Sequence, residues 1–304
     1  MRSLLTIILL LSVSAGLTAQ TDLLLGQYIH NQYAVNPAFA GSRGGLTAFA
    51  SFRKQWTDIE STPRSILFTA HSPLRNNHLA IGFTASNQTI HQSSVTAFTG
   101  ALSYRIPLGT NKSFVEFALQ PGVSLRKTDW TKVNIYDQAD PAFSENTSNI
   151  SPLLGFGVTF YGRQFFVGAN IASFIVSRDF DLQDAEFAPA DATYLFTGGY
   201  QFNLGDITLQ PSIMVQYQKD ADPQIDATLT PGWNDFIFIE LGYRTTGEAI
   251  AGVSVRPKPM PQLRVSYNYE MTTGDLKGFN NGSHEISIQY DFVYRTKNVG
   301  PRFF

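Results

Sequence analysis

Apolar and polar positions alternate along most of this chain with a period of two. Between Gln262 and Glu270 one face reads Leu263, Val265, Tyr267 and Tyr269, and the other reads Gln262, Arg264, Ser266, Asn268 and Glu270. The segment ending at Phe292 repeats the split, with Ile286, Ile288, Tyr290 and Phe292 opposite Glu285, Ser287, Gln289 and Asp291. Val115, Phe117 and Leu119 face Glu116, Ala118 and Gln120 in a third stretch, and Ile213, Val215 and Tyr217 face Ser212 and Gln216 in a fourth. A period of two marks a strand whose two faces meet different surroundings. The same pattern predicts about 14 strands, over 45–55, 64–72, 77–86, 93–106, 112–127, 149–160, 164–174, 193–203, 205–218, 224–230, 235–244, 247–256, 262–270 and 283–292.

These segments are mostly roughly 9 to 13 residues long, against about 5 to 6 for ordinary globular strands. A tilted membrane-crossing strand needs about 9 to 11. Connectors after the first, third, fifth, seventh and thirteenth segments are mostly long, including 128–148, 175–192 and 271–282. Those after the second, sixth, eighth and twelfth are short, including Tyr161-Gly162-Arg163 and Pro257 to Pro261. Short periplasmic turns and long outer loops are the asymmetry of a bacterial outer-membrane barrel. Thr245-Thr246 departs from it, being a very short connector where an outer loop belongs. The expected fold is all-β, a transmembrane antiparallel barrel over residues 44–292.

A soluble β-sandwich also alternates, and composition separates the two. Charged residues make up 15% of the chain, against roughly 25% for soluble domains, and the polar faces are mostly Ser, Thr, Gln, Asn and Gly. Aromatics gather near strand ends, at Trp56, Tyr104, Trp130, Tyr161, Tyr194, Trp233, Tyr243, Tyr269 and Tyr290, where interfacial girdles sit. Ahead of the strands, Arg2 and the apolar run from Leu4 to Leu11 precede small residues up to Ala19. This reads as a signal peptide over 1–19, cut after Ala19 or at Ser14-Ala15-Gly16. Residues 20–43 form a periplasmic N-terminal arm in this reading, either free in the periplasm or tucked into the lumen. Residues 293–304 form a C-terminal periplasmic tail.

Catalytic signatures are scarce. With no cysteine, thiolate metal sites, disulfides and a Cys nucleophile are excluded. The five histidines, His30, His71, His78, His91 and His284, show no metal-ligand spacing, and no Gly-x-Ser-x-Gly elbow or phosphate-cradling loop occurs. His91, Asp137 and Ser144 are the one conceivable loop triad, and Asp137, Asp140 and Glu145 the one conceivable calcium cluster; both read more simply as solvated loop residues. No catalytic, cofactor-binding or metal residue is assigned, and no cofactor is expected. With 22 Lys and Arg against 24 Asp and Glu, nucleic acid is not an expected partner. Glu116, Arg126, Glu240, Arg244, Arg264, Glu270, Glu285 and Asp291 fall on lumen-side positions, lining a channel or pairing to close it.

A set of short motifs in order carries a resemblance. The stretch Gln27-Tyr28-Ile29-His30-Asn31-Gln32-Tyr33-Ala34-Val35-Asn36-Pro37-Ala38-Phe39-Ala40-Gly41-Ser42 resembles the N-terminus of PorP/SprF-type proteins, outer-membrane barrels of type IX secretion and gliding in the Bacteroidota. Arg53-Lys54-Gln55-Trp56, Thr62-Pro63-Arg64-Ser65, Ser72-Pro73-Leu74, Asp140-Pro141-Ala142-Phe143, Gly155-Phe156-Gly157, Leu241-Gly242-Tyr243-Arg244, Ser283-His284-Glu285-Ile286 and Pro301-Arg302-Phe303-Phe304 continue it. The resemblance implies a non-enzymatic protein of the cell outer membrane. Its partners would be membrane lipid together with type IX secretion components, the C-terminal domain of a secreted adhesin, or both. A passive channel or small-solute transporter is the alternative. Phe292 closes the last alternating strand, so deletion of Thr296–Phe304 is expected to leave a heat-modifiable barrel on gel electrophoresis; loss of the barrel would place the insertion signal in the tail.

Overall fold

The computed structural model describes residues 27–59, 61–75, 78–109, 113–130, 146–172, 175–177, 185–187, 192–219, 221–273, 278 and 280–292. Seventeen strands occur among them. The first seven are β1 (Leu46–Lys54), β2 (Arg64–Pro73), β3 (Leu79–Ile90), β4 (Ser93–Leu108), β5 (Ser113–Thr128), β6 (Thr147–Tyr161) and β7 (Phe165–Ala172). A small hairpin, β8 (Ile175–Ser177) with β9 (Ala185–Phe187), follows. Then come β10 (Thr193–Tyr200), β11 (Phe202–Leu204), β12 (Ile207–Tyr217), β13 (Gln224–Trp233), β14 (Ile237–Arg244), β15 (Glu248–Val255), β16 (Leu263–Thr272) and β17 (Ser283–Phe292). β10 and β11 are one expected strand interrupted at Gln201.

Apart from the hairpin, every strand pairs antiparallel with its neighbours, and the ring is closed with 14 strands. β1 and β17 form the closing seam, from Leu46 opposite Phe292 to Lys54 opposite His284. Closure satisfies the backbone: with no sheet edge, each N–H and C=O at membrane depth has a partner across a ladder. Among the described residues no helix is long and apolar enough to cross a membrane.

The alternation maps onto two environments. β13 and β16 alternate buried and outward positions along almost their whole length. Outward positions carry Leu229, Ile239, Leu241, Val265, Tyr267, Ile286 and Ile288, all exposed. Inward positions carry Asp226, Thr228, Thr230, Ser266, Asn268, Ser287 and Gln289, all buried. A polar inside and an apolar outside invert the soluble arrangement and fit a barrel in lipid. Tyr104, Trp233 and Tyr243 face outward as girdle positions require, whereas Tyr161 is buried inside the lumen. Its parity on β6 places it on the inner face, where Glu116 accepts its hydroxyl.

Connector lengths follow the expected asymmetry with one further exception. β3 continues to Ile90, so only His91-Gln92 link it to β4, and His91 takes a positive φ of 55° to make the turn. The turn at Thr245–Gly247 is likewise tight, so two of the outer connectors are short.

Residues 27–44 fill the lumen. The described part of the arm is therefore not free in the periplasm, because its side chains find their partners on the barrel's inner wall. A short helix α1 (Gln32–Val35) begins where the Asn31 side chain accepts from Ala34 N, and a 3-10 turn over Pro37–Phe39 begins where the Asn36 side chain accepts from Ala38 N. Gln27 bonds to the Glu285 carbonyl, in the outer-loop half of β17, and Arg43 meets Asp291 at the short-turn end. The arm thus descends from the outer half of the lumen to the short-turn rim. Replacing the outward Ile288 by Arg is expected to cost about 2–4 kcal/mol of folding free energy near the bilayer midplane, read as a lower urea midpoint for folding into phospholipid vesicles.

Candidate functional site

The site with the densest chemistry is the occupied lumen, and its two walls hold the arm differently. Against β3–β7 the arm packs apolar side chains. Ile29, Tyr33, Phe39 and Ala40 form one buried cluster with Ala80, Ala101, Tyr161 and Phe166. Phe39 meets Phe166 edge-on at 5.7 Å, and Tyr33 lies 4.9 Å from the His71 ring. Burial pushes the Tyr33 phenol up to about 12, so it stays protonated. Three wall glycines leave the space. A Cβ at Gly82 would collide with the Tyr33 ring, and one at Gly157 or Gly168 would collide with the Asn36 side chain.

Hydrogen bonds then fix the register of the arm. Asn36 Nδ2 donates to the carbonyls of Val158 and Ala169, each at 3.1 Å. Asn170 Nδ2 donates to the Val35 carbonyl at 2.8 Å, and Gly41 N donates to His71 Nδ1 at 2.9 Å. Tyr28, packed beside Val35 and Met214, hydrogen-bonds with Ser212 and Thr228 at 3.0 and 3.1 Å. Its pKa too is raised to about 12, chiefly by burial.

The opposite wall is ionic. Arg264 Nη1 lies 2.9 Å from His30 Nδ1. A guanidinium only donates, so Nδ1 accepts and the proton of the neutral ring sits on Nε2, which points at Glu240 Oε2, 3.5 Å away. Burial is the largest influence on His30 and lowers its pKa, in keeping with the neutral form. Asn268 Nδ2 also donates to Glu240, at 2.9 Å. Nearer the outer end, Arg244 grips Asp226 through two parallel bonds of 3.0 and 2.9 Å and reaches Glu270 at 3.2 Å. Arg53 Nη2 donates to Glu270 at 2.6 Å, with Glu285 at 3.5 Å from Nη1. On the other side, Glu116 accepts from Ser103, Arg105 and Tyr161 at 2.6, 3.0 and 2.8 Å.

These contacts leave little open lumen at the level of the arm. A cavity of about 20 Å³ remains between His30, Tyr33, Arg43 and His71. A larger one, about 430 Å³, lies at the short-turn end. Of the lumen-side charges expected from parity, Glu116, Arg244, Glu270, Glu285 and Asp291 are ion-paired, Arg264 and Glu240 meet through the neutral His30 ring, and Arg126 is exposed near the outer end of β5. Asp226, Arg53, Arg105 and His71 were not foreseen as site residues. Strand parity was an available signal for Asp226, which shares an inward face with Gln224, Thr228 and Thr230. His91 lies in the β3–β4 turn, while Asp137, Asp140, Ser144 and Glu145 fall outside the described residues, so neither the triad nor the calcium cluster acquires a geometry. Among the described residues no group of His, Asp and Glu is arranged to hold a metal ion.

The motifs behind the resemblance meet in space. Asn36-Pro37 seats on Gly157, while Arg53, Arg244 and Glu285 share one ion network through Glu270. Asp140-Pro141-Ala142-Phe143 and the terminal Pro301-Arg302-Phe303-Phe304 lie outside the described residues.

Residues 17–290 match the family described as "Type IX secretion system membrane protein PorP/SprF". No curated protein matches the chain. Among solved structures, the Acinetobacter baumannii outer membrane protein Omp33 is similar at 8% identity, covering 82% of this chain and 98% of its own, with a TM-score of 0.44. A Pseudomonas aeruginosa FadL homologue aligns at 12% identity over 82% of this chain and 89% of its own, with a TM-score of 0.45. Outer membrane phospholipase A from Escherichia coli aligns at 13% identity over 81% and 97%, with a TM-score of 0.38.

Removing Arg244 strands the buried Asp226 carboxylate and leaves Glu270 with Arg53 as its remaining guanidinium partner. Arg244→Met is expected to destabilise the barrel by about 3–5 kcal/mol, seen as a lower urea midpoint, whereas Arg126→Met on the exposed end of β5 is expected to leave the midpoint nearly unchanged.

Proposed function

Because the chain belongs to the PorP/SprF family of type IX secretion system membrane proteins, we propose that it works as a closed-lumen scaffold in the outer membrane, engaging secretion components at its periplasmic face. The protein resides in the outer membrane and is associated with type IX secretion. The observation that carries the scaffold reading is the arm: a pore would need the space that Tyr28, Tyr33 and Phe39 occupy, all of them 2% exposed or less. A rigid, filled cylinder instead transmits load between its ends and presents fixed turns and loops to partners. In this reading the protein is not an enzyme.

A second role, holding secreted adhesins by their C-terminal domains, draws on the outer end. There β4, β5 and β6 run for 16, 16 and 15 residues, while β7 pairs with β6 only from Phe156 to Tyr161. The wall is thus tallest on one side, and the β8–β9 hairpin rises beside it, offering an asymmetric platform to an exported partner. Pull-down from membranes with mass spectrometry separates the roles: periplasmic secretion components support the first, a large secreted adhesin the second.

The intact protein in planar bilayers is expected to show no steady conductance. Gly157→Val, which collides with the Asn36 side chain and unseats the arm, is expected to produce steady current while heat-modifiability persists. Steady current from the unaltered protein would instead make it a passive channel.

A further inference from the structure

The outward faces of β1, β2 and β17 change from apolar to basic within one step. Phe52 on β1 lies opposite Ile66 on β2 and Ile286 on β17, and all three side chains are exposed on the lipid-facing side. The next outward positions toward the long loops are Lys54, Arg64 and His284, again opposite one another. This row is the outer edge of the apolar band, where hydrocarbon gives way to the headgroups of the outer leaflet.

The row carries an unanswered charge. Lys54 sits directly opposite Arg64, and side chains at opposed antiparallel positions start about 4.5–5.5 Å apart, where like charges repel. Arg64 is exposed and Lys54 half-buried, and neither has an ion-pair partner among the described residues. β1 and β2 contain no acid. On β16 and β17, strand parity turns Glu270, Glu285 and Asp291 into the lumen, where Arg53, Arg244 and Arg43 hold them. Asp58, in the β1–β2 connector, accepts from Asn281. Two opposed cations with no acid on their face favour an anion between them.

His284 supplies a further donor beside the pair. Its Nδ1 lies 2.7 Å from the Tyr267 hydroxyl, and its ring packs 5.1 Å from that of Tyr269. With the phenol donating to Nδ1, the neutral ring carries its proton on Nε2.

The surroundings bear on what carries the anion. Directly beneath the row, toward the membrane centre, stand Phe52, Ile66 and Ile286, with Phe68 and Ile288 below them. A charged head seated above acyl chains matches that order, and phosphate suits both the fork of an arginine and the point charge of a lysine.

We propose that the outer rim of the seam binds a phosphorylated lipid of the outer leaflet. Its phosphate sits between Lys54 and Arg64 with His284 as a third donor, and its acyl chains lie along Phe52, Ile66 and Ile286. One headgroup then spans β17, β1 and β2 across the closing seam, whatever docks at the periplasmic face.

The test titrates the full mature protein in detergent with diphosphoryl lipid A and measures bound lipid by native mass spectrometry, with phosphatidylethanolamine as the zwitterionic control. Lipid A is expected to bind at least tenfold more tightly than the control, and millimolar inorganic phosphate is expected not to displace it. Lys54→Gln with Arg64→Gln is expected to weaken binding at least tenfold, and Arg64→Gln alone at least threefold, while each variant stays heat-modifiable. Lys219→Gln with Lys258→Gln, which removes two exposed charges elsewhere, is expected to leave binding unchanged. In detergent without lipid A the Lys54, Arg64 double variant is expected to unfold at an equal or higher urea midpoint, because a repulsion has been removed. Undiminished binding by that variant, an equal loss in the control pair, equal binding of phosphatidylethanolamine, or displacement by inorganic phosphate would each overturn the assignment.

Discussion

The hydrogen-bonding demand of a backbone inside hydrocarbon governs this structure. A strand in lipid has no water to satisfy the groups its neighbours leave free, so each strand needs a partner on both sides and the sheet has to close on itself. The β1–β17 seam, paired from Leu46 to Lys54, meets that demand. Closure then dictates the chemistry of both faces: Ile286 and Ile288 look out into lipid while Ser287 and Gln289, their chain neighbours, look in.

A closed ring of this size encloses a space that strands alone do not fill, and the arm fills it. Its two sides are suited to different walls. Small residues at Ala80, Ala101, Gly82 and Gly157 let β3–β6 accept aromatic and asparagine side chains closely, while β13–β17 hold long charged side chains that reach inward to one another. Burying charge is costly unless every partner is present, and Arg244 illustrates the solution, with Asp226 in a two-bond grip and Glu270 beyond it. The ionic wall therefore contributes fixed geometry more than net stability.

Much of the fold was legible in the sequence because one physical rule, a period of two, covers nearly all of it. The segment 283–292 was read with the same ends that the structure shows. Boundaries slipped where polar residues continue a strand beyond its apolar core, as at Asn87 to Ile90, which alternation leaves outside although they pair with β4. The site was less legible. Parity placed Glu116, Glu240, Arg244 and Glu270 on the inner face, yet it gives no information on which strands lie opposite across a lumen, so the Arg53–Glu270 pair, 217 positions apart, was out of reach. Tyr161 shows a different limit: an aromatic near a strand end reads as a membrane girdle, although its parity with Gly157 and Thr159 on β6 already turns it inward, toward Glu116. The arm's placement was open for a related reason, since Asn36-Pro37 signals a turn but not the Gly157 notch it fits.

The attachment point of the arm has a consequence for how the ring stays shut. Residues 27–44 are joined directly to β1, one side of the seam, and through Gln27 they bond to β17, the other side. Residues near both edges of the seam therefore take hold of the same segment. Opening the seam between β1 and β17 would therefore also break the hold of Gln27 on β17, so the ring and the segment inside it keep each other in place.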